Sequence, residues 1–259
     1  ELGKSKEAEI STKKAIELQP ESARAHSNLG NILKDLGNFQ KAEISIRRAI
    51  QLQPDLVVAH LNLGSIMKDL NNLKEAEIST RKAIQLQPDF ADNYYTLGLI
   101  LRDLDNLKEA EISIRKSIQI QPNYANSHYV LGLILKDLGN LKEAEVSTRK
   151  AIQLQPDFAE GYYILSKIYI EWNNFSKAYK EIMLAIKNDP KNHIYQGELS
   201  RIKFLQYDDY DSNMISEHQL WSDQDDYFYE DNNTDVLLVI FGSNGREGKL
   251  IPSFNFYNL

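Results

Sequence analysis

Between Ala23 and Leu56 the apolar and small residues fall at Leu29, Gly30, Leu33 and Leu36, then at Phe39, Ala42, Ile46, Ala49, Ile50 and Leu52. Steps of three and four place each set on one face of a helix, so the pattern predicts two amphipathic helices. Gly37-Asn38 separates them, as a helix-ending glycine does. Pro54 closes the second helix, and Asp55 is placed to cap the helix that follows. The unit is a hairpin of two helices.

The second half of this unit returns. Ala42–Pro54 recurs as Ala76–Pro88, Ala110–Pro122 and Ala144–Pro156, each copy beginning 34 residues after the last. A worn version ends the series at Ala178–Pro190, and an incomplete one opens the chain at Ala8–Pro20. Residues 1–190 therefore read as one array, with a partial repeat at 1–22 and full repeats from 23, 57, 91, 125 and 159. Small residues recur as well: Gly30, Gly64, Gly98 and Gly132 face Ala42, Ala76, Ala110 and Ala144, which lets paired helices approach closely. A hairpin with apolar residues on both sides cannot bury itself alone, so the copies are expected to stack into an all-α solenoid.

The ends depart from the rule. In the last repeat Ser166 replaces the packing glycine, and Tyr169, Trp172 and Tyr179 enlarge it. Residues 191–206 are expected to form a capping helix. Ile194, Leu199, Ile202 and Leu205 would face inward, and Gln196, Glu198, Arg201 and Lys203 outward. Residues 207–226 read as an acidic linker, with Ser212–Trp221 able to form a short helix. From 227 the pattern is strand, turn, strand: Tyr227–Glu230, Asp231–Asp235, Val236–Phe241. Residues 227–259 are expected to begin a small, truncated α/β domain, and both ends of the chain look cut.

Composition narrows the possibilities. The 259 residues are 42% hydrophobic and 26% charged, with a formal charge of −7 and no cysteine. The acidic balance disfavours a nucleic-acid partner. The missing cysteines remove disulfides, thiolate nucleophiles and cysteine-type zinc sites. No apolar run approaches the roughly 20 residues that span a bilayer, so no membrane partner is expected. A cytoplasmic location is compatible with these features.

Candidate chemistry is thin. Around Gly242, Gly245, Gly248 and Lys249 a phosphate loop fails, since Ser243 stands where its first glycine should be and Leu250 where its hydroxyl should be. Ser243 is the one serine in an active-site-like loop, and no base accompanies it. His26, His60 and His128 occupy one equivalent place in successive repeats, shared with Tyr94 and Tyr162, so they read as a recurring packing position and not a metal site. Glu43/Arg47, Glu77/Arg81, Glu111/Arg115 and Glu145/Arg149 are spaced as exposed helix-stabilising pairs. Asn174-Phe-Ser and Asn232-Asn-Thr match glycosylation sequons by short chance patterns. No catalytic constellation, metal site or cofactor is expected.

The Leu-Gly pair, the two alanines seven apart and the closing proline resemble the tetratricopeptide repeat. The resemblance spans about Glu1 to Pro190, with His or Tyr at 26, 60, 94, 128 and 162 where that family often has Trp. It implies a right-handed α-solenoid that binds another protein or a peptide segment along a concave face made by the first helices. On that face would lie Asn28, Asn31 and Lys34; Leu61, Asn62 and Lys68; Tyr95, Leu99 and Arg102; Tyr129, Leu133 and Lys136; and Tyr163. Asparagines in early repeats suit a partner's backbone, as in the arrays of O-linked N-acetylglucosamine transferases, which Ala25–Gly30 resembles. Tyrosines in later repeats suit apolar side chains. The chaperone-type carboxylate clamp is not expected, because Ser27, Asp92 and Thr96 stand where its basic residues would be. The other reading makes the array a recruitment arm for an enzyme, a hydrolase or glycosyltransferase, beginning near 227. The second helices, which vary least, read as scaffold, and the oligomeric state is not legible.

Overall fold

A computed structural model of the chain describes residues 2–217, 228–229 and 238–239. Its contacts divide the chain into two units, Glu1–Phe204 and Leu205–Leu259. The first is the repeat array. Helix α1 spans Leu2–Leu18, and five hairpins follow: α2 Ala23–Asp35 with α3 Phe39–Leu52, α4 Val57–Asp69 with α5 Leu73–Leu86, α6 Ala91–Asp103 with α7 Leu107–Ile120, α8 Ala125–Asp137 with α9 Leu141–Leu154, and α10 Ala159–Glu171 with α11 Phe175–Asn188. Helix α12 runs His193–Glu217. The predicted α-solenoid is the observed fold.

Each hairpin turns on a left-handed residue. Gly37 and Gly139 have φ of 75° and 77°, and Asn71, Asp105 and Asn173 take the same place at 60°, 60° and 54°. Asn and Asp are the residues other than glycine that tolerate this region best. The amide of Gly37 donates to Lys34 O and that of Asn38 to Leu33 O, both at 2.8 Å, which satisfies the last carbonyls of α2. The starts of the first helices differ from expectation. Asp55 does not cap α4; the cap position is Leu56, which makes no side-chain capping bond, and Phe90, Tyr124 and Phe158 hold the same place. In four of the five hairpins a half-buried apolar or aromatic group has displaced the polar cap, because this residue packs between repeats. Among the first helices of the five hairpins, only Ser22 accepts a capping bond, from the Ala25 amide at 3.4 Å.

The two helices of a hairpin meet at the glycine. A Cβ on Gly30 would lie 2.5 Å from Ile46 Cγ1, well inside contact distance, and one on Gly98 would lie 2.5 Å from Ile114 Cγ1. Thr80 and Thr148 meet Gly64 and Gly132 in the same way, and Ile46, Ile114, both threonines and Ala42, Ala76, Ala110 and Ala144 are fully buried at these joints. Ser166 keeps the approach in the last repeat by turning its hydroxyl to Tyr163 O at 2.7 Å. A row of Ile66, Ile100, Ile134 and Ile168 runs through the interior of successive hairpins without interruption.

Curvature follows from which helices touch. First helices pack on first helices, α2 on α4, α4 on α6, α6 on α8 and α8 on α10. Each second helix instead meets the first helix of the next hairpin, as α3 meets α4. Among the described residues no comparable packing joins successive second helices. Close spacing on one side and splaying on the other bend the stack, with the first helices inside.

Helix α12 departs from prediction twice. Its buried side carries Tyr195, Glu198 and Ile202, while Ile194 is exposed and Phe204 partly so. Ile202 is inside as expected and Gln196 and Arg201 outside, but Ile194 and Glu198 have exchanged sides relative to expectation. Tyr195 takes the inner place by packing on Tyr163, with ring centroids 5.2 Å apart. The helix also continues beyond Gln206 to Glu217, across residues expected to form a linker, because no Gly or Pro interrupts Tyr207–Glu217.

In the second unit, β1 Phe228–Tyr229 pairs antiparallel with β2 Leu238–Val239, Phe228 opposite Val239 and Tyr229 opposite Leu238. This pair falls within the predicted strand, turn and strand. The rest of the expected α/β domain lies outside the described residues, as do Ser243, the glycines near it and the enzyme reading that depends on them.

Candidate functional site

All thirteen predicted contact residues lie on first helices: Asn28, Asn31 and Lys34 on α2, Leu61, Asn62 and Lys68 on α4, Tyr95, Leu99 and Arg102 on α6, Tyr129, Leu133 and Lys136 on α8, and Tyr163 on α10. Because these helices pack side by side, residues 34 apart line up as rows across the inner face. Asn28 is exposed and the other twelve are half-buried.

One row is aromatic. Tyr95 packs on Tyr124 at 5.2 Å between centroids, Tyr129 on Phe158 at 4.9 Å edge to face, and Tyr163 on Tyr195 at 5.2 Å. Each inner-face ring is thus held by a ring of the following repeat or of α12. Tyr124 and Phe158 occupy the cap position of the next first helix, the place Leu56 and Phe90 hold earlier. Sequence reasoning passed over this position, although an apolar or aromatic residue there in four consecutive repeats was the available signal. Packing removes water from the phenols. Burial, then the Glu160 carboxylate, pushes Tyr129 up to about 12, and burial, then Asp92, does the same to Tyr124.

A second row is ionic. Lys34 donates to Ser65 Oγ at 3.3 Å, Lys68 lies 3.4 Å from Asp69 and 4.0 Å from Asp103, and Lys136 lies 2.8 Å from Asp137 and 3.6 Å from Glu171. Burial opposes the charge on Lys136, but hydrogen bonding and attraction to Asp137 and Glu171 outweigh it and hold its pKa above the usual lysine value. These cations reach from one repeat to the next along the edge of the inner face. With Arg102, Asp105, Leu107 and Gly139, the residues Lys136, Asp137 and Glu171 line a polar cavity of about 580 Å³. Asn62 also reaches back to Ser27 Oγ, at 3.5 Å. The inner face therefore runs from amides at the N-terminal end to rings at the other, with a zwitterionic border.

The three histidines of the repeats are structural. Nε2 of His26, His60 and His128 donates to the carbonyl of Pro20, Pro54 and Pro122, at 2.9, 2.8 and 2.8 Å. Tyr162 makes the same tie to Pro156 at 3.1 Å. The position joins α2, α4, α8 and α10 to the end of the preceding repeat, and on α6 the neighbouring Asn93 does so instead, donating to Gln87 O at 2.9 Å. The Glu–Arg pairs likewise do more than their spacing predicts: Arg47 binds Glu43 at 2.8 Å and also Glu75 of the next repeat at 2.6 Å, Arg115 repeats this with Glu111 and Glu143, and Arg81 with Glu77 and Glu109. In the last hairpin Tyr169 inserts into the series, hydrogen-bonded to both Arg149 and Glu145. Asn174 of the first sequon accepts the Lys177 amide at 3.1 Å, as the cap of α11.

Comparison with known proteins agrees with this fold. The chain is similar in structure to YrrB, described as a TPR protein with an unusual peptide-binding site, at 24% identity and a TM-score of 0.56, covering 72% of this chain and 96% of that one. It is similar to TTC0263, a thermophilic TPR protein of Thermus thermophilus, at 21% identity and a TM-score of 0.61, covering 71% and 100%. It is also similar to PilF of Pseudomonas aeruginosa, at 18% identity and a TM-score of 0.66, covering 77% and 90%. A search of curated proteins finds no match to the sequence. Models of the tetratricopeptide repeat match residues 23–56, 57–90, 91–124, 125–158 and 159–192, the same five hairpins that the packing defines. By those repeats, the chain belongs to the tetratricopeptide repeat family.

Proposed function

We propose that the array is a protein-interaction scaffold whose inner face binds an extended segment of another protein. Membership of the tetratricopeptide family supports the scaffold role. The observation that carries the finer reading is the aromatic row: Tyr95, Tyr129 and Tyr163 stand at one position of three consecutive repeats, each ring held by a neighbour before any ligand arrives. A ring already immobilised loses little side-chain entropy on binding, which favours it as an anchor. Asn28 and Asn62 supply amide donors and acceptors for a partner's backbone, and Leu99 and Leu133 supply apolar contact beside the rings. The ionic border orients the segment without contributing much affinity, since its charges are already paired.

The test is selection of peptides on the immobilised array, followed by measurement with Y95A/Y129A. A selected peptide should bind the double variant at least tenfold more weakly while circular dichroism shows unchanged helicity. Amide shifts of the wild type on binding should concentrate on α4, α6 and α8. Undiminished binding to the variant, or shifts confined to second helices, would remove the inner face from consideration.

A further inference from the structure

Helices α1, α3, α5, α7 and α9 each leave one β-branched aliphatic side chain in solvent at an equivalent place, which Lys180 holds on α11. Ile10, Ile44, Ile78, Ile112 and Val146 are 67–70% exposed, in a family of helices whose other apolar residues are mostly buried. Residues four before and four after share their helix face. Lys74 and Lys82 hold those places around Ile78, and lysines hold both places around Ile112 and Val146. None of these six lysines joins an ion pair among the described residues. Glu75, Glu109 and Glu143 of the same helices are instead engaged by Arg47, Arg81 and Arg115 on the side that faces the preceding repeat. Lys82, Lys116 and Lys150 donate to neutral glutamines one turn on. An apolar line thus crosses the outer surface between two lines of uncompensated positive charge, in a chain whose overall charge is −7.

We propose that this outer surface docks an acidic segment of another protein that carries apolar side chains at regular intervals. Charge complementarity selects the acidic partner, and the exposed aliphatic line supplies the apolar contact that charge alone lacks. Shape selects a polypeptide over a membrane. The outer side of a stack whose first helices pack closely is convex, so a plane meets few repeats at once, whereas a chain can follow all of them. Spacing agrees. Packed helices lie about 8–10 Å apart, and splayed second helices lie no closer. An acidic helix with an apolar residue every two turns, roughly 11 Å, would meet successive Ile positions.

The experiment uses the full chain and a labelled synthetic helical peptide of glutamate and alanine with leucine at every seventh residue. A control peptide replaces the leucines with serine, and vesicles of phosphatidylserine and phosphatidylcholine form a third arm. The leucine peptide should bind the wild type and lose at least tenfold in affinity to I78S/I112S/V146S and to K74E/K82E/K108E/K116E. The serine peptide should bind at least tenfold more weakly than the leucine peptide, and Y95A/Y129A should bind the leucine peptide like the wild type. All these positions but the tyrosines lie on the outer surface, and I112S alone, with a melting curve matching the wild type, provides the smallest perturbation. Equal binding of the two peptides, or loss only with Y95A/Y129A, would overturn the proposal. So would vesicle binding without peptide binding, or self-association that the peptide does not displace, the last assigning the stripe to a second copy.

Discussion

The two sides of the array follow opposite rules. On the inner side Leu61, Tyr95, Tyr129 and Tyr163 share a position and change along the chain, yet each is half-buried, and the three rings are wedged against the next structural element. On the outer side Ile44, Ile78 and Ile112 repeat without change, yet each is about 70% exposed. Repetition between copies is therefore a poor measure of packing constraint in this chain. Reading the second helices as scaffold is correct for Ala42, Ile46 and Ala49, which are fully buried, and insufficient for Ile44, which sits among them in sequence and supports nothing in the fold.

The sharpest way to separate interior from outer surface is a matched pair of truncations. Ile100→Ala removes a fully buried side chain and should cost about 2–5 kcal/mol in urea denaturation. Ile112→Ala removes a side chain that is 68% exposed and should stay within about 0.5 kcal/mol of the wild type. A large loss at Ile112 would show that the outer residue has a structural role and would erase the contrast.

A smaller effect should mark the inner side by pH. Burial raises Tyr124, Tyr129 and Tyr195 from 10.0 to about 12, so the folded state favours the neutral phenol. A group raised in the folded state contributes stability that is complete below its unfolded pKa and lost as pH rises through the folded value. Melting temperature should therefore fall between about pH 10 and pH 12, with tyrosinate absorbance appearing in the same range. Tyr129→Phe keeps the ring and should flatten part of that fall; an identical profile would mean the row is wetter than its packing indicates.

The smallest effect belongs to the outer ion pairs. Arg81 and Glu109 are both over two-fifths exposed and join two repeats. A double-mutant cycle on R81A and E109A should return a coupling of about 0.2–1 kcal/mol that shrinks with added salt. Salt-independent coupling would point to a stiffer joint than surface electrostatics provides.

Much of this architecture is legible in the chain itself, and the physical reason is periodicity. A repeat every 34 residues samples the same environment several times, so Gly30 against Ile46 is repeated by Gly98 against Ile114, and one hairpin teaches the next. The ends have no such copies. Helix α12 buries Ile202 as expected but takes Tyr195 inside in place of Ile194, because Tyr163 across the gap offers Tyr195 a ring to pack on. The expected cap at Asp55 is lost for a related reason: local chemistry favours an acidic cap, but Leu56 is needed between repeats.

The amino-acid sequence by itself determined the helical hairpin, its period and its close-packed glycine joint, since each depends on spacing within one repeat and its return in the next. The tertiary structure alone decided which repeats each charged group joins, that Arg47 reaches Glu75 and Lys136 reaches Glu171, and that the inner rings are stacked in pairs. It also decided that Ile78 stays in water between lysines that join no ion pair among the described residues. These outcomes depend on the angle at which one hairpin settles on the next, which no single repeat encodes.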